Sequence, residues 1–407
     1  MDFSELLHKI VTTPFEFVRD YGGPFVLVLS ILIFVHEWGH YIIARRCGVK
    51  VDKFSIGFGK ELFGRTDKNG TRWKFCAIPL GGYVQMFGDT DPASAHHAEG
   101  VKEGKECRPF TADEKKVAFY AQPISKRAAI VFAGPAINYI FAILILAFLY
   151  AFNGEPYQPP IAAVIVEGMP AEAAGIKPDD KIIAINGSSI ERYDEIRQHT
   201  AIAMDQELEI KLLRSLGKDH PNEWGKKPLT IKVTPRRVVE TDRFGFKHEL
   251  GRIGIMGPTS QFATIQHTPM SAIGAAVETT WRITSDTLKA LGQMVMGTRS
   301  TDELGGILRI GAYAGDFAQQ GLVAFITFTA LLSVNLGLIN ILPVPLLDGG
   351  YLAMYAMEKI RGKPLHERVQ EYALRVGLVF LLGIMFLATW NDLVQLKVVD
   401  YVSKLFG

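Results

Sequence analysis

At 407 residues the chain has room for more than one folded unit, and a formal charge of +2 gives no strongly basic surface of the kind nucleic-acid binding needs. A hydrophobic share of 48% beside 21% charged residues fits neither an ordinary soluble domain nor a chain made only of membrane spans, so a membrane part and a polar part are expected together. Three cysteines, Cys47, Cys76 and Cys107, are too few and too scattered for a disulfide framework or a four-thiolate metal site.

In chain order, the first apolar stretch is Pro24 to Ile43, broken only by His36, Glu37 and His40. A membrane helix takes about 20 mostly apolar residues. A signal peptide is the alternative, but no small-residue cleavage site follows, and Arg45-Arg46 stand where a span would leave the membrane. Val51 to Met86 is apolar and glycine-rich without helical length. It predicts short strands and turns in a hairpin dipping into the membrane, tolerable only where protein or water satisfies its backbone. Residues 88–116 read as a polar loop, with His96-His97 solvated rather than ligating. Residues 128–154 and 321–347 carry no charge and predict the second and third spans. A fourth runs from Val376 to Val398, interrupted by Asn391 and Asp392.

Lys and Arg beside the spans set their orientation. Arg45, Arg46, Lys50 and Lys53 follow the first span, Lys126 and Arg127 precede the second, and Lys359, Arg361, Lys363 and Arg368 separate the third from the fourth. With four spans all fall on one face, which is then cytoplasmic and also holds the three cysteines, where reduced thiols belong.

His36-Glu37-Trp38-Gly39-His40 is the pattern H-E-x-x-H inside a span. Helical residues four apart share a face, so both imidazoles can reach one metal ion, with Glu37 beside them as a base toward water. The alternative is a polar trio buried for helix packing, but ionisable groups at membrane depth usually mark a functional site. A catalytic zinc usually takes a third protein ligand. Asp348 is the best candidate: its span runs inward as the first does, and Pro343 and Pro345 break the helix before it. A carboxylate merely marking a membrane exit remains the other reading of Asp348. Asp392 lies toward the outer end of its span, at the wrong depth.

The ordered set HEWGH, GGYV (Gly81 to Val84), FAGPAIN (Phe132 to Asn138) and Asn340 to Gly350 resembles the site-2 protease family of intramembrane metalloproteases, in its bacterial regulator-of-sigma-E protease branch. The resemblance implies one zinc ion per chain held by His36, His40 and Asp348, with Glu37 as general base. It implies substrate-binding roles for Asn340, Asn335 and the strand edge Gly81, Gly82, Tyr83, Val84. Ala163 to Gly187 is similar to the PDZ module, with Asn186-Gly187 suited to a tight hairpin. Glu207 to Arg214, Leu229 to Arg236 and Gly251 to Met256 supply its further strands. The better-known members of the branch carry two such modules in tandem, and the family tends to have Gly-Gly-Pro before the third span; this chain has room for one module and reads Gly305-Gly306-Ile307. Ser271 to Met296 predicts an amphipathic helix, lying either on the outer membrane surface or against the PDZ module.

The expected fold is a polytopic α-helical membrane protein of about four spans with a membrane-associated β-hairpin and an inserted extracytoplasmic α/β PDZ domain. Its parts are 1–50, first span with H-E-x-x-H; 51–127, cytoplasmic loop and hairpin; 128–154, second span; 155–258, PDZ domain; 259–320, amphipathic helix and linker; 321–350, third span with Asp348; 351–407, cytoplasmic loop and fourth span. The expected activity is zinc-dependent cleavage of single-span membrane proteins in a bacterial inner membrane, such as an anti-sigma factor or remnant signal peptides. Membrane lipids and a peptide or protein ligand of the PDZ domain are further expected partners, and nucleic acid is not. A membrane-anchored scaffold would leave Glu37 a needless buried charge. A metal transporter would need a polar path, and the second span offers only Asn138.

Overall fold

The computed structural model describes residues 14–88, 100–103, 106–217, 223–242, 245–258 and 263–395. His96-His97 fall outside them, as does the side chain of Cys107; Cys47 and Cys76 are free thiols. The described chain includes four helices long and apolar enough to cross a membrane: Val18–Arg46, Ile124–Asn153, Leu322–Ile341 and Arg368–Gln395. It folds as two units. Of the described residues, one takes 14–146 together with Gly306–Trp390, the other Ala147–Gly305 and 391–395.

In the first unit, helix α1 (Gly23–Arg46) has a proline in its first turn, where a missing N–H costs nothing, and ends at Cys47, followed by Gly48 at φ +83°. Strands β1 (Val51–Thr66) and β2 (Arg72–Met86) pair antiparallel into one long hairpin. These strands are longer than the short ones the sequence predicts. Repeated register shifts, among them around Ile56, Phe58 and Glu61, let the glycines sit inside a curved ladder instead of ending it. The hairpin sits on α1 through fully buried Phe54, which stacks on Trp73 at 4.3 Å and meets Tyr41 edge-on at 5.9 Å. Burying such a ring stabilises by roughly 1.5–3 kcal/mol.

The polar loop after the hairpin contains a small strand pair, β3 (Gly100–Glu103) and β4 (Glu106–Pro109), and helix α2 (Ala112–Val117), started by a Thr111–Glu114 capping box. Helix α3 is Ile124–Asn153. Ala44 of α1, Val51, Phe54, Val84 and Met86 of the hairpin, and Ile130 and Val131 of α3 form one buried cluster.

The second unit is sheet-rich. Its small strands are β5 (Glu155–Tyr157), β6 (Ile161–Ala162) and β7 (Val164–Ile165), followed by the short helix α4 (Pro170–Ala173). Strand β8 (Asp180–Ile185) turns into β9 (Ser188–Ser189) through Asn186 and Gly187 at φ +48° and +82°, the geometry expected of that dipeptide. Helix α5 (Tyr193–Ile202) precedes β10 (Leu208–Leu213) and β11 (Leu229–Val233), and the order across the sheet is β11-β10-β8-β6. Strand β12 (Arg236–Thr241) pairs with β13 (Lys247–Arg252). Strand β14 (Ile255–Met256) returns to β7, and β15 (Ala263–Ile265) pairs with β5. Ile182, Ile185, Ile210 and Leu212 are fully buried in this unit's own core. Helix α6 (Pro269–Val295) packs on α5, with Gln293 Nε2 donating to the Ile202 carbonyl at 2.6 Å and Arg282 Nη1 at 3.3 Å from Glu195 Oε1.

Back in the first unit, α7 (Ile307–Gln320) occupies what the sequence presents as a linker. Its Ala314 is buried with Val28 and Leu32 of α1 and Phe328 of α8 (Leu322–Ile341). Residues 342–347 then break the helix before α9 (Asp348–Arg361), and α10 is Glu367–Gln395. Asp348 therefore opens a new helix rather than ending the third span. Pro343 cannot donate to the carbonyl four residues earlier, and the chain leaves the helical path there.

Candidate metal centre and cleft

Three side chains from α1 and α9 converge. His36 Nε2 lies 3.2 Å and His40 Nε2 3.5 Å from Asp348 Oδ2, and the two imidazole nitrogens are 3.3 Å apart. The triangle is nearly equilateral. A tetrahedral ion bonded at about 2.0–2.1 Å would separate its ligands by roughly 3.3–3.4 Å, so this donor set fits zinc. Asp348 Oδ2 is buried and takes no well-formed hydrogen bond despite its two imidazole neighbours, as expected of an oxygen shaped for a cation.

Local structure explains how each ligand arrives. His36 and His40 stand one helical turn apart, with ring planes 85° apart and centroids at 4.9 Å. His40 Nδ1 is 2.9 Å from the Ile130 carbonyl of α3, which fixes the ring by its far nitrogen. A Cβ at Gly134 would strike His40 Nε2, so only glycine lets α3 pass this close to the imidazoles. Asp348 is aimed by the Leu342–Leu347 break, where Leu346 adopts φ +79°. A left-handed leucine costs roughly 1–3 kcal/mol and persists only where its surroundings over-determine it. Leu346 packs against buried Met354, Leu365 and Leu374.

The centre opens into a cleft of about 310 Å³ lined by His36, Glu37, His40, Asp348, Gly82, Tyr83, Val84 and Asn340, with Tyr355, Arg127, Glu358 and Gln370 also on its wall. Glu37 takes a hydrogen bond from the Val84 backbone. The hairpin strand thus touches the carboxylate beside the two imidazoles. Tyr83 stacks with Phe58 at 6.2 Å and lies beneath Lys74 Nζ at 5.0 Å. Arg127 Nη2 is 3.2 Å from Glu358 Oε2, and its guanidinium lies 4.7 Å from the Tyr355 ring centroid.

The structure therefore brings together His36, Glu37, His40, Asp348, Asn340 and Gly82 to Val84. Gly81 and the half-buried Asn335 lie outside the described cleft lining. Sequence reasoning assigned no role to Asn138, whose side-chain nitrogen lies 3.1 Å from His36 Nδ1, nor to Ser333, which donates to the Asn138 carbonyl at 2.9 Å. The available signal was a lone amide in an otherwise apolar span.

Comparison with known proteins agrees with this geometry. The sequence profile of Peptidase family M50 matches residues 24–384. A protein of Agrobacterium fabrum named as a zinc metalloprotease is 41% identical over 382 residues, covering 93% of this chain and 97% of its own length. One of Rhizobium meliloti, named likewise, is 36% identical over 91% of this chain and 95% of its own. The metalloprotease MmpA of Caulobacter vibrioides is 33% identical over 94% and 97%. The chain belongs to peptidase family M50, the site-2 protease family, and is a zinc metalloprotease.

Proposed function

We propose that this chain hydrolyses peptide bonds of membrane-anchored proteins within or beside the bilayer, using one zinc ion per chain held by His36, His40 and Asp348. The observation that carries the reading is three ligand atoms at zinc spacing, with His36, Glu37 and His40 on a helix apolar enough to cross a membrane and Asp348 at the start of α9. Bound there, zinc supplies Lewis-acid polarisation of a carbonyl and makes water more acidic. Glu37 takes the proton of the attacking water and returns it to the leaving amine.

A helical substrate hides its carbonyls in its own hydrogen bonds and must be opened before attack. Strand β2 lines the cleft at Gly82 to Val84, so an extended substrate segment pairs along Gly81 to Val84 as an added strand. Asn340, which also lines the cleft, holds the substrate backbone through its amide, and Asn335 of the same helix contributes to holding it. The substrates are single-span proteins already shortened outside the membrane, such as an anti-sigma factor or remnant signal peptides. The sheet-rich unit acts as an extracytoplasmic PDZ-type domain that docks a peptide or limits substrate size, in a multi-pass protein of a bacterial inner membrane.

The test is Glu37→Gln in the full-length protein in detergent, assayed on a membrane-anchored substrate with zinc content measured alongside. The expected result is native zinc content with cleavage lowered by about 10²–10⁴-fold or lost, the range of general acid–base catalysis. Retained cleavage overturns the assignment of Glu37.

A further inference from the structure

We infer that Asn138 is a positioning residue for His36: its side-chain oxygen accepts the Nδ1 proton and so presents the Nε2 lone pair to the metal. The inference rests on the zinc-site reading above and deepens it.

Asn138 is fully buried on α3, and its amide meets His36 Nδ1 at 3.1 Å. The structure records the amide nitrogen toward the ring, with Oδ1 buried and without a partner. The two ends of an amide have nearly the same shape, so the partner's chemistry decides which end faces it. Were the N–H to face Nδ1, Nδ1 would be the acceptor and the neutral ring's proton would sit on Nε2. That proton would point among His40 Nε2 and Asp348 Oδ2, 3.3 and 3.2 Å away, where the ion belongs. Ligation needs a lone pair on Nε2, hence a proton on Nδ1, hence an acceptor at the position the amide occupies.

His40 meets the same requirement with the Ile130 backbone carbonyl, which is an acceptor in every state. His36 relies on a side chain, so its orientation can be removed by mutation. The backbone that carries Asn138 is held as well: Ser333 of α8 donates to the Asn138 backbone carbonyl at 2.9 Å, which ties this turn of α3 to the helix bearing Asn340.

The experiment measures zinc affinity by competition with a chromogenic chelator on the purified full-length protein, with apo-protein melting recorded for each variant. Asn138→Leu removes the acceptor at nearly constant volume and is expected to weaken zinc binding by roughly 10–100-fold, the usual effect of losing such a partner, with the apo melting temperature close to wild type. Asn138→Asp, which offers only acceptor oxygens, is expected to bind zinc nearly as wild type does. Asn138→Val carries the same expectation as Leu if the larger side chain does not fold. Wild-type affinity in the folded Leu or Val variant overturns the proposal, and so does equal weakening in Asp and Leu. His36→Ala separates the two readings: if it binds zinc as tightly as wild type, the metal site itself is misassigned, whereas its loss beside a tight Asn138→Leu sinks only the role of Asn138.

Discussion

Asp67 closes the turn between β1 and β2 by accepting four hydrogen bonds, from Asn69 N at 2.8 Å, Thr71 N at 3.0 Å, Trp73 Nε1 at 3.0 Å and Tyr41 Oη at 3.3 Å. Burial by itself would raise its pKa, but these donors outweigh it and hold the carboxyl below the usual 3.8. The sign follows by linkage: the stabilisation is complete above 3.8 and is lost as pH falls through the lowered folded value. Asp67→Asn should therefore melt below wild type at neutral pH, with the gap narrowing in acid once the carboxylate is protonated. A gap that does not depend on pH would show that the charge is immaterial. At this scale the candidate metal ligands on α1 were legible, because two imidazoles four residues apart with a glutamate between have few other uses in an apolar helix. Asn138 was not, because a single amide carries no spacing, and its partner lies 102 residues away.

The element that aims Asp348 is a loop held from behind. Gly377 of α10 lies against Pro345, and a Cβ there would sit 2.6 Å from the Pro345 Cβ. Gly377→Ala should improve local helix propensity by about 1 kcal/mol yet displace the loop that carries Asp348. A misplacement near 1 Å costs on the order of 100-fold in rate, so cleavage should fall by roughly 10–100-fold while α10 remains folded. Unchanged cleavage would mean that the loop yields without moving Asp348. The four apolar helices follow from composition, since about 20 consecutive apolar residues have few other solutions. The hairpin's strand length did not, because glycines that end a strand in isolation are carried inside a ladder whose register shifts around them. Helix α7 lies where the sequence presents a linker, because its apolar face acquires meaning only against Val28, Leu32 and Phe328.

Across the whole molecule the two units have separate cores, so damage to one need not reach the other. Ile210 is fully buried among the isoleucines of the sheet-rich unit. Ile210→Ala should destabilise that unit by about 2–5 kcal/mol. Limited proteolysis should then cut first between residues 155 and 258, while zinc content stays at the wild-type level. Loss of zinc in this variant would show that the units fold as one.

The amino-acid sequence by itself determined which segments are long and apolar enough to cross a membrane, which residues could ligate a metal and which family the motifs resemble, because each of these is written in local composition and short spacing. Tertiary structure alone decided that Asp348, 308 residues beyond His40, completes the triangle of side chains, and that Asn138 and Gly134 lie against the imidazoles. Those facts depend on how helices approach one another, and close approach is set by the packing of faces rather than by any pattern along one chain segment.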